Sequence, residues 1–251
     1  DTLLPAAQAL YAAGIALAKS AGNTGSNCGT ITNPGQYNEL LATAAFNSSD
    51  TIASFSSRGP VVYQGETRVK PDIAAPGVAI RSCTPGGSYG SLQGTSMASP
   101  HTAGVIALLW SAQPALVGNV AATFQVVKST AEVKISAQCP PHVGHPNDVW
   151  GWGILDALAA VQAGLSVGEL SGTVYGDGMA PLPGAAVEVA PAGGPVQRTT
   201  ADANAVYSFT LPAGSYASTA TYPGYYPGSG AVDVVSGSTT LHDIVLEPLP
   251  P

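Results

Sequence analysis

A chain of 251 residues is long enough for one large domain or two medium ones, and 45% of it is apolar against 9% charged. This composition excludes a disordered chain, and a surface made mainly of uncharged polar residues is typical of secreted proteins. The net charge of −7, without a Lys/Arg cluster, argues against nucleic acid as a partner, and no apolar run reaches the roughly 20 residues of a membrane span.

Strand and helix patterns alternate in the first part of the chain. Residues 3–13 predict a short Ala-rich helix, and GIALAKSAGN at 14–23 predicts a buried strand that ends at Gly-Asn. Further strand-like runs cover residues 40–45, 52–55, 73–75 and 78–81. Helical spacing covers residues 95–110, 120–129 and the segment GWGILDALAAVQAG at 151–164. Small residues in the first of these helices predict burial on most sides. The alternation predicts an α/β domain with a mostly parallel sheet over residues 1–166.

The sequence pattern changes near Val167. Short alternating runs follow, separated by Gly, Pro and Asp turns: GTVYG, AAVEVA, VYSFTL, SYASTATY, AVDVV and LHDIVLEP. In VYSFTL, Tyr207, Phe209 and Leu211 share one face, the period of two expected of a strand with one buried side. Six or seven such strands predict an all-β sandwich over residues 168–251, after a short linker around 166–169.

The octapeptide GTSMASPH at 94–101 opens the helix predicted from Thr95. A serine there lies exposed after a Gly turn, and its own N–H favours negative charge at the same place. Acyl transfer needs both a hydroxyl that attacks a carbonyl and donors for the oxyanion. An isolated GTS would more often be a helix cap. The whole octapeptide, however, resembles the active-site serine motif of the subtilisin-like serine proteases, which implies that Ser96 is the nucleophile.

Other segments resemble the same family in the same order. The strand end SAGN at 20–23 implies that Asn23 donates to the oxyanion, a contact worth about 3 kcal/mol in the transition state. Ser20, Ala21, Gly22 and Gly94 are then substrate-binding residues. The remaining matches are IASFSSRGP at 52–60, KPDIAAPG at 70–77 and the closing helix at 151–157. The resemblance implies polypeptide substrates and secretion, and bound Ca²⁺ is a cofactor of some such proteases, although no run here has Ca²⁺-ligand spacing.

The catalytic Asp and His of this family precede the serine along the chain, and neither segment is present here. We therefore expect an N-terminal part of the catalytic domain to precede Asp1, and the chain alone to be inactive. His101 does not replace the missing base, because five residues of helix turn it roughly 140° away from Ser96.

The other histidines are also weak candidates for a base. His142 and His145 lie in a Pro/Gly loop that we expect to be solvated, and His242 lies in the second domain. The HxxH pair with Asp148 nearby is a weak pattern for metal ligands. Asp72 is expected to serve as a turn or ion-pair residue.

The second domain resembles the carboxypeptidase-regulatory-like sandwiches. The matching residues are GTV at 172–174, PGA at 183–185, YSF at 207–209 and LPAGSY at 211–216, where LPAG is expected to turn a hairpin. The resemblance implies an accessory module without catalytic residues. The Tyr-rich stretch at 222–228 is expected to pack on its own sandwich rather than bind a glycan or peptide.

Three cysteines, Cys28, Cys83 and Cys139, allow one disulfide and one free thiol in an oxidising compartment, with any of the three pairings. The sequence as a whole predicts a serine endopeptidase that forms an acyl-enzyme on Ser96. The alternative is a non-catalytic extracellular binding or adhesion protein with a relic protease half. Retention of both Asn23 and Ser96 favours the enzyme.

Overall fold

The structure is a computed structural model that describes residues 2–63, 65–164, 166–192 and 194–250. The chain divides into two compact units, residues 1–161 and 162–251. The first is α/β and the second consists mainly of strands, which confirms the predicted fold class. None of the helices in the described ranges is both long and apolar enough to cross a lipid bilayer.

A parallel sheet is the centre of the first unit. In chain order its elements are α1 (Leu4–Ala12), β1 (Leu17–Ser20), β2 (Leu40–Phe46), β3 (Val61–Tyr63), β4 (Glu66–Arg68), β5 (Ile73–Pro76), β6 (Ile80–Thr84), β7 (Ser88–Leu92), α2 (Thr95–Ala112), α3 (Val120–Ser129) and α4 (Ala157–Gly164). Strands β1, β2 and β5 form the parallel sheet in that order, and β3–β4 and β6–β7 are antiparallel pairs.

Small side chains bring α2 close to this sheet. All seven residues of β2 (LLATAAF) are buried, as expected of a strand covered on both faces. Ala98 of α2 packs against Ala45 of β2 and Ala75 of β5. One turn further along, the hydroxyls of Thr43 and Thr102 lie 3.0 Å apart in a buried hydrogen bond. The first turn of α2 is thereby fixed over the carboxyl ends of the strands.

Two predicted strands differ from the structure. Residues 52–55 form no strand, because Ile52 makes only a single bridge to Phe46 and the chain then turns, with the Ser56 N–H donating to the Ala53 carbonyl. The strand predicted at 78–81 begins only at Ile80. Ala79 has a φ of 56°, a left-handed conformation that interrupts the extended run.

Helix α2 was predicted to be buried on most sides, and this is wrong for the chain as described. Its buried face carries Ala98, Thr102, Val105, Ile106 and Leu109. The opposite side is open, and Leu108 is 56% exposed. The predicted burial of β1 is also wrong, since its residues are half-buried and no other described strand pairs with its outer edge. The sheet and α2 are therefore both uncovered on one side.

The second unit is a sandwich of two sheets. Its strands are β8 (Val167–Tyr175), β9 (Ala186–Pro191), β10 (Gln197–Thr200), β11 (Val206–Pro212), β12 (Gly214–Thr221), β13 (Gly228–Val234), β14 (Thr239–Leu241) and β15 (Ile244–Val245). One sheet has the order β10-β9-β12-β13, and the other has the order β11-β8-β14, with β15 also pairing with β8. As predicted, Tyr207, Phe209 and Leu211 face the core.

Three details of the sandwich differ from the sequence prediction. Residues 167–169, placed in the linker, already belong to β8, and β10 was not predicted because its QRTT sequence has no apolar alternation. The LPAG turn does not make a hairpin. It carries the chain from one sheet to the other, since β11 pairs with β8 while β12 pairs with β9 and β13. The Tyr-rich stretch packs Tyr222 and Tyr225 on the sandwich core.

A disulfide joins Cys28 to Cys139, with their Cα atoms 5.2 Å apart, and Cys83 is a free, exposed thiol. The cross-link connects the loop after β1 with the segment between α3 and α4, which are separated by 111 residues in sequence. Disulfides persist in oxidising compartments, so this pair is consistent with export.

A buried ion cluster ties β5 to the rest of the first unit. The carboxylate of Asp72 accepts from the ammonium groups of Lys70 and Lys128 and from the Ala42 N–H. Burial alone would raise the pKa of Asp72, but the two ammonium groups hold it below its ordinary value. Burial lowers the pKa of Lys70, which also donates to the Tyr37 carbonyl. Of the two roles that the sequence predicted for Asp72, a turn or an ion pair, the structure shows the ion pair.

Replacing Asp72 by Asn is expected to lower the free energy of unfolding by about 3–5 kcal/mol, because Lys70 would remain buried without its counter-ion. The low folded pKa gives a pH dependence with a defined sign. The stabilisation is present above the ordinary carboxyl pKa of about 3.9 and is lost as the pH falls through the lower folded value. Urea unfolding followed by tryptophan fluorescence measures both effects. The control is Asp50→Asn at the exposed Lys134 pair, and an equal loss in both variants would contradict the prediction.

Candidate active site

The segment after β1 brings Asn23 to the carboxyl edge of the sheet. The N–H of Ala21 donates to the Thr43 carbonyl at 2.9 Å, which continues the β1–β2 pairing just past Ser20. Ala21 is buried beside Ile31 and Val61, so its side chain faces the core. The chain then turns outward, and Asn23 is exposed.

Gly22 makes this turn possible. Its φ is +112°, and a Cβ built on it would lie 2.7 Å from the Ser57 Oγ. Both its backbone conformation and its close approach to Ser57 therefore require glycine. Its N–H donates to the Thr95 hydroxyl at 3.2 Å, which connects the strand end to the start of α2.

The side chain of Asn23 is fixed by Thr95. The Asn23 Oδ1 atom accepts from the Thr95 N–H and from the Thr95 hydroxyl, both at 2.9 Å. The carbonyl end of the amide is thereby held against the helix start, which leaves the Nδ2 end for another acceptor. A Cβ built on Gly94 would lie 3.3 Å from this Nδ2, so the NH₂ group lies beside the Gly94 turn.

Ser96 lies at the first turn of α2, exposed to solvent. Gly94 precedes the helix with a φ of 149°, and its carbonyl accepts from the Met97 and Ala98 N–H groups. Within the described ranges nothing hydrogen-bonds to the Ser96 hydroxyl or accepts from its N–H. A free hydroxyl, a free backbone donor and the Asn23 amide thus share one end of the helix, where the dipole favours negative charge.

An open, mainly apolar cavity of about 850 Å³ extends from Ser96 along the uncovered face of α2. Met97, Pro100, Gly104 and Leu108 line the helix side of this cavity, and β6 borders it on another side. The cavity is below referred to as the α2 groove. The groove runs over the side of α2 that the sequence predicted to be buried and that is open in the structure.

No histidine in the described chain hydrogen-bonds to Ser96. The His101 Nδ1–H donates to the Met97 carbonyl at 2.9 Å. The His242 ring, in the second unit, bonds to the Ser218 hydroxyl. His101 borders the α2 groove, but its ring is committed to the preceding turn of its own helix.

The candidate metal ligands do not converge. His142 Nδ1 lies 2.9 Å from the Asp148 carboxylate, while His145 donates through Nε2 to the Trp152 carbonyl at 3.0 Å. Burial raises the pKa of Asp148, and His142 opposes that shift. No three His, Cys, Asp or Glu side chains come together as a metal-ion set within the part of the chain that the structure describes.

The structure therefore brings Gly22, Asn23, Gly94 and Ser96 together, while Ser20 and Ala21 only lead into the site. Sequence reasoning missed Thr95, whose backbone and hydroxyl both hold Asn23. Thr95 lies inside the octapeptide, but a pattern of residues does not reveal which side chain orients another.

In this unit an exposed serine begins the helix that packs on a parallel sheet, and an asparagine amide lies beside it. This arrangement is typical of one class of proteins, the α/β serine peptidases. The model of the Subtilase family matches residues 3–153, and the chain belongs to that family. The model of the carboxypeptidase regulatory-like domain matches residues 169–247.

Curated relatives and a solved structure agree with this assignment. Bacillopeptidase F of Bacillus subtilis strain 168 is 39% identical over 170 residues, 64% of this chain and 11% of the relative. Subtilisin E of the same strain is 47% identical over 103 residues, 40% of this chain and 25% of the relative. The structure of the prenylagaramide maturation protease PagA superposes with a TM-score of 0.52 at 27% identity, covering 64% of this chain and 55% of that one. The chain thus spans only a part of each relative.

Substituting Gly22 by Ala is expected to destabilise the protein more than the same change at Gly25. Both glycines have φ near +120°, so both variants carry a similar backbone strain of roughly 1–2 kcal/mol. Only at position 22 does the new methyl group meet the Ser57 Oγ, since the nearest atom at position 25 is 3.8 Å away. Urea unfolding of the two variants measures the difference. Equal losses would show that the contact with Ser57 has no effect on stability.

Proposed function

We propose that this protein is a serine endopeptidase that hydrolyses peptide bonds through an acyl-enzyme on Ser96. The observation that carries the proposal is the exposed Ser96 hydroxyl beside the Asn23 amide, at the start of a helix. The Ser96 oxygen attacks the scissile carbonyl carbon and gives its proton to a general base. The resulting oxyanion accepts hydrogen bonds from the Asn23 Nδ2 and the Ser96 N–H. The C–N bond then breaks, the amine leaves with the proton, and water hydrolyses the ester.

The general base and its acidic partner are proposed to come from another segment of polypeptide that covers the α2 groove. Each histidine described here has another partner, and the α2 groove presents a mainly apolar surface directly beside Ser96. Covering these apolar side chains with another segment would remove them from water, which is favourable. A segment that fills the groove would bring its side chains to the hydroxyl. Taken alone, the chain is expected to be inactive, because loss of a triad member commonly lowers the rate by about 10⁴ or more.

The remaining assignments follow from the same proposal. Polypeptide substrates would lie along Gly22 and Gly94, and Ser20 and Ala21 would support that surface from the strand end. The peptidase domain would cover residues 1–166 and the accessory sandwich residues 168–251. Secretion is supported by the disulfide and by the low charge content. The alternative of a non-catalytic binding protein is less well supported. Tyr222 and Tyr225, which could have contacted a ligand, pack on their own sandwich core instead.

Ser96→Ala is expected to abolish labelling by a fluorophosphonate probe in the full-length protein, whereas Ser99→Ala on the same helix should leave labelling within about twofold.

Asn23→Ala should lower kcat about 10²- to 10³-fold, the usual cost of one oxyanion donor. Gel fluorescence and turnover of a chromogenic peptide measure the two effects. Strong labelling of the isolated chain would contradict the need for an outside base, and labelling that persists in Ser96→Ala would contradict the nucleophile.

A charge placed in the α2 groove is expected to impair the full-length enzyme. Leu108→Glu should lower the unfolding midpoint and the yield of active sites, because the carboxylate would be buried under the covering segment. The control is Val62→Glu, at a side chain that is 70% exposed on β3 and does not line the groove. Active-site titration and thermal unfolding measure both properties. If the two variants behave alike, the groove is not covered in the active protein.

A further inference from the structure

One buried serine holds the backbone on both sides of Asn23. Ser57 is fully buried, and its N–H donates to the Gly22 carbonyl at 2.9 Å. Its Oγ accepts from the Thr24 N–H at 3.2 Å. The residues immediately before and after Asn23 are thus both bound to the same residue of the 52–60 segment.

The Ser57 hydroxyl is also the start of a chain of hydrogen bonds. Its oxygen lies 3.0 Å from the Thr24 hydroxyl, and the Thr24 hydroxyl donates to the Thr30 carbonyl at 3.1 Å. Because the Thr24 proton is used there, the Ser57 hydroxyl is the donor of the pair. Ser57 therefore both accepts from the Asn23 segment and donates to it. Its Oγ also occupies the space that a Cβ on Gly22 would need, at 2.7 Å from that position.

Two independent anchors define the direction of the Asn23 amide. Thr95 holds the carbonyl end of the side chain, and Ser57 holds the main chain that carries it. Thr95 also holds the main chain before Asn23, through the Gly22 N–H, whereas the N–H of Thr24 after it is held by Ser57. An oxyanion donor acts only at the correct distance, and a misplacement of 1 Å can cost about 10²-fold in rate.

We infer that Ser57 is a positioning residue for the oxyanion donor Asn23. The inference rests on the proposed function of Asn23 and deepens it. Ser57 does not touch the reacting atoms, and it acts by keeping the Asn23 Nδ2 beside the Ser96 turn. Since the oxyanion forms only in the transition state, loss of this positioning lowers kcat and leaves KM nearly unchanged.

The neighbouring Ser56 is a matched control. It is also fully buried, and its Oγ also accepts one backbone hydrogen bond, from the Ala45 N–H of β2 at 3.1 Å. Removing either hydroxyl leaves one backbone N–H without its acceptor. The Ala45 N–H is buried and the Thr24 N–H only partly so, and Ser56→Ala should therefore lose at least as much stability as Ser57→Ala. Only Ser57 contacts the Asn23 segment.

The test compares Ser57→Ala, Ser56→Ala, Asn23→Ala and the double variant Asn23→Ala/Ser57→Ala in the full-length protein. Steady-state kinetics on a chromogenic peptide give kcat and KM. Hydrogen exchange followed by mass spectrometry reports on residues 22–30 without requiring activity. We expect Ser57→Ala to lower kcat about 10- to 100-fold with KM within about twofold, and to speed exchange in residues 22–30. Ser56→Ala should change neither. In the Asn23→Ala background, removing Ser57 should change kcat by less than about twofold.

Failure of the inference and failure of the proposed function give different results. Equal loss of kcat in the two serine variants, or a full additional loss in the double variant, would overturn the positioning role while leaving the protease intact. A wild-type protein with neither turnover nor probe labelling would overturn the proposed function together with the catalytic meaning of Ser57. In that case, faster hydrogen exchange in Ser57→Ala alone would still show that Ser57 orders residues 22–30. Unchanged exchange would show that Ser57 does not order them.

Discussion

The hydrogen bond from the Thr95 N–H to the Asn23 side chain is the contact on which the site depends. It joins the end of β1 to the first turn of α2, two elements that are 72 residues apart in sequence. The contact requires the helix start to lie over the carboxyl edge of the sheet, and the alanines of β2, β5 and α2 allow that approach. It also requires the turn at Gly22, which only glycine accommodates. The geometry of the site therefore depends directly on how α2 packs against the sheet.

The two sides of the same unit differ in how well they are covered. The outer edge of β1 and the α2 groove are both uncovered within the described ranges, while the side facing the 52–60 segment is densely hydrogen-bonded. The oxyanion side of the proposed site is thus complete in this chain, because Asn23, Ser57 and Thr95 are all present. On the opposite side, no described residue hydrogen-bonds to the Ser96 hydroxyl. Under the proposed mechanism, oxyanion binding would come from this chain, and activation of the nucleophile would come from a segment that covers the α2 groove.

The sequence predicts the fold well where one local pattern decides it. The helix at 120–129, the strand at 40–45 and the alternation in 206–212 match the structure, because burial follows their periodicity directly. Prediction failed where the outcome depends on distant partners. The open face of α2 could not be recognised from its small residues, which suit packing but do not supply a neighbour. Ser57 was also out of reach, because its role depends on Gly22 and Thr24, which are brought to it only by the folded sheet.

Because of the disulfide between Cys28 and Cys139, the site depends on the redox state of the compartment in which the protein folds. The loop bearing Cys28 begins one residue after Asn23, and Cys139 belongs to the segment that precedes α4. In a reducing cytosol this tie would be absent, and the exposed Cys83 would add a third thiol able to exchange with either partner. When such a preparation is later oxidised in air, molecules with differently paired sulfurs would form, and the loop after Asn23 would differ in mobility among them. Export before folding would avoid that mixture.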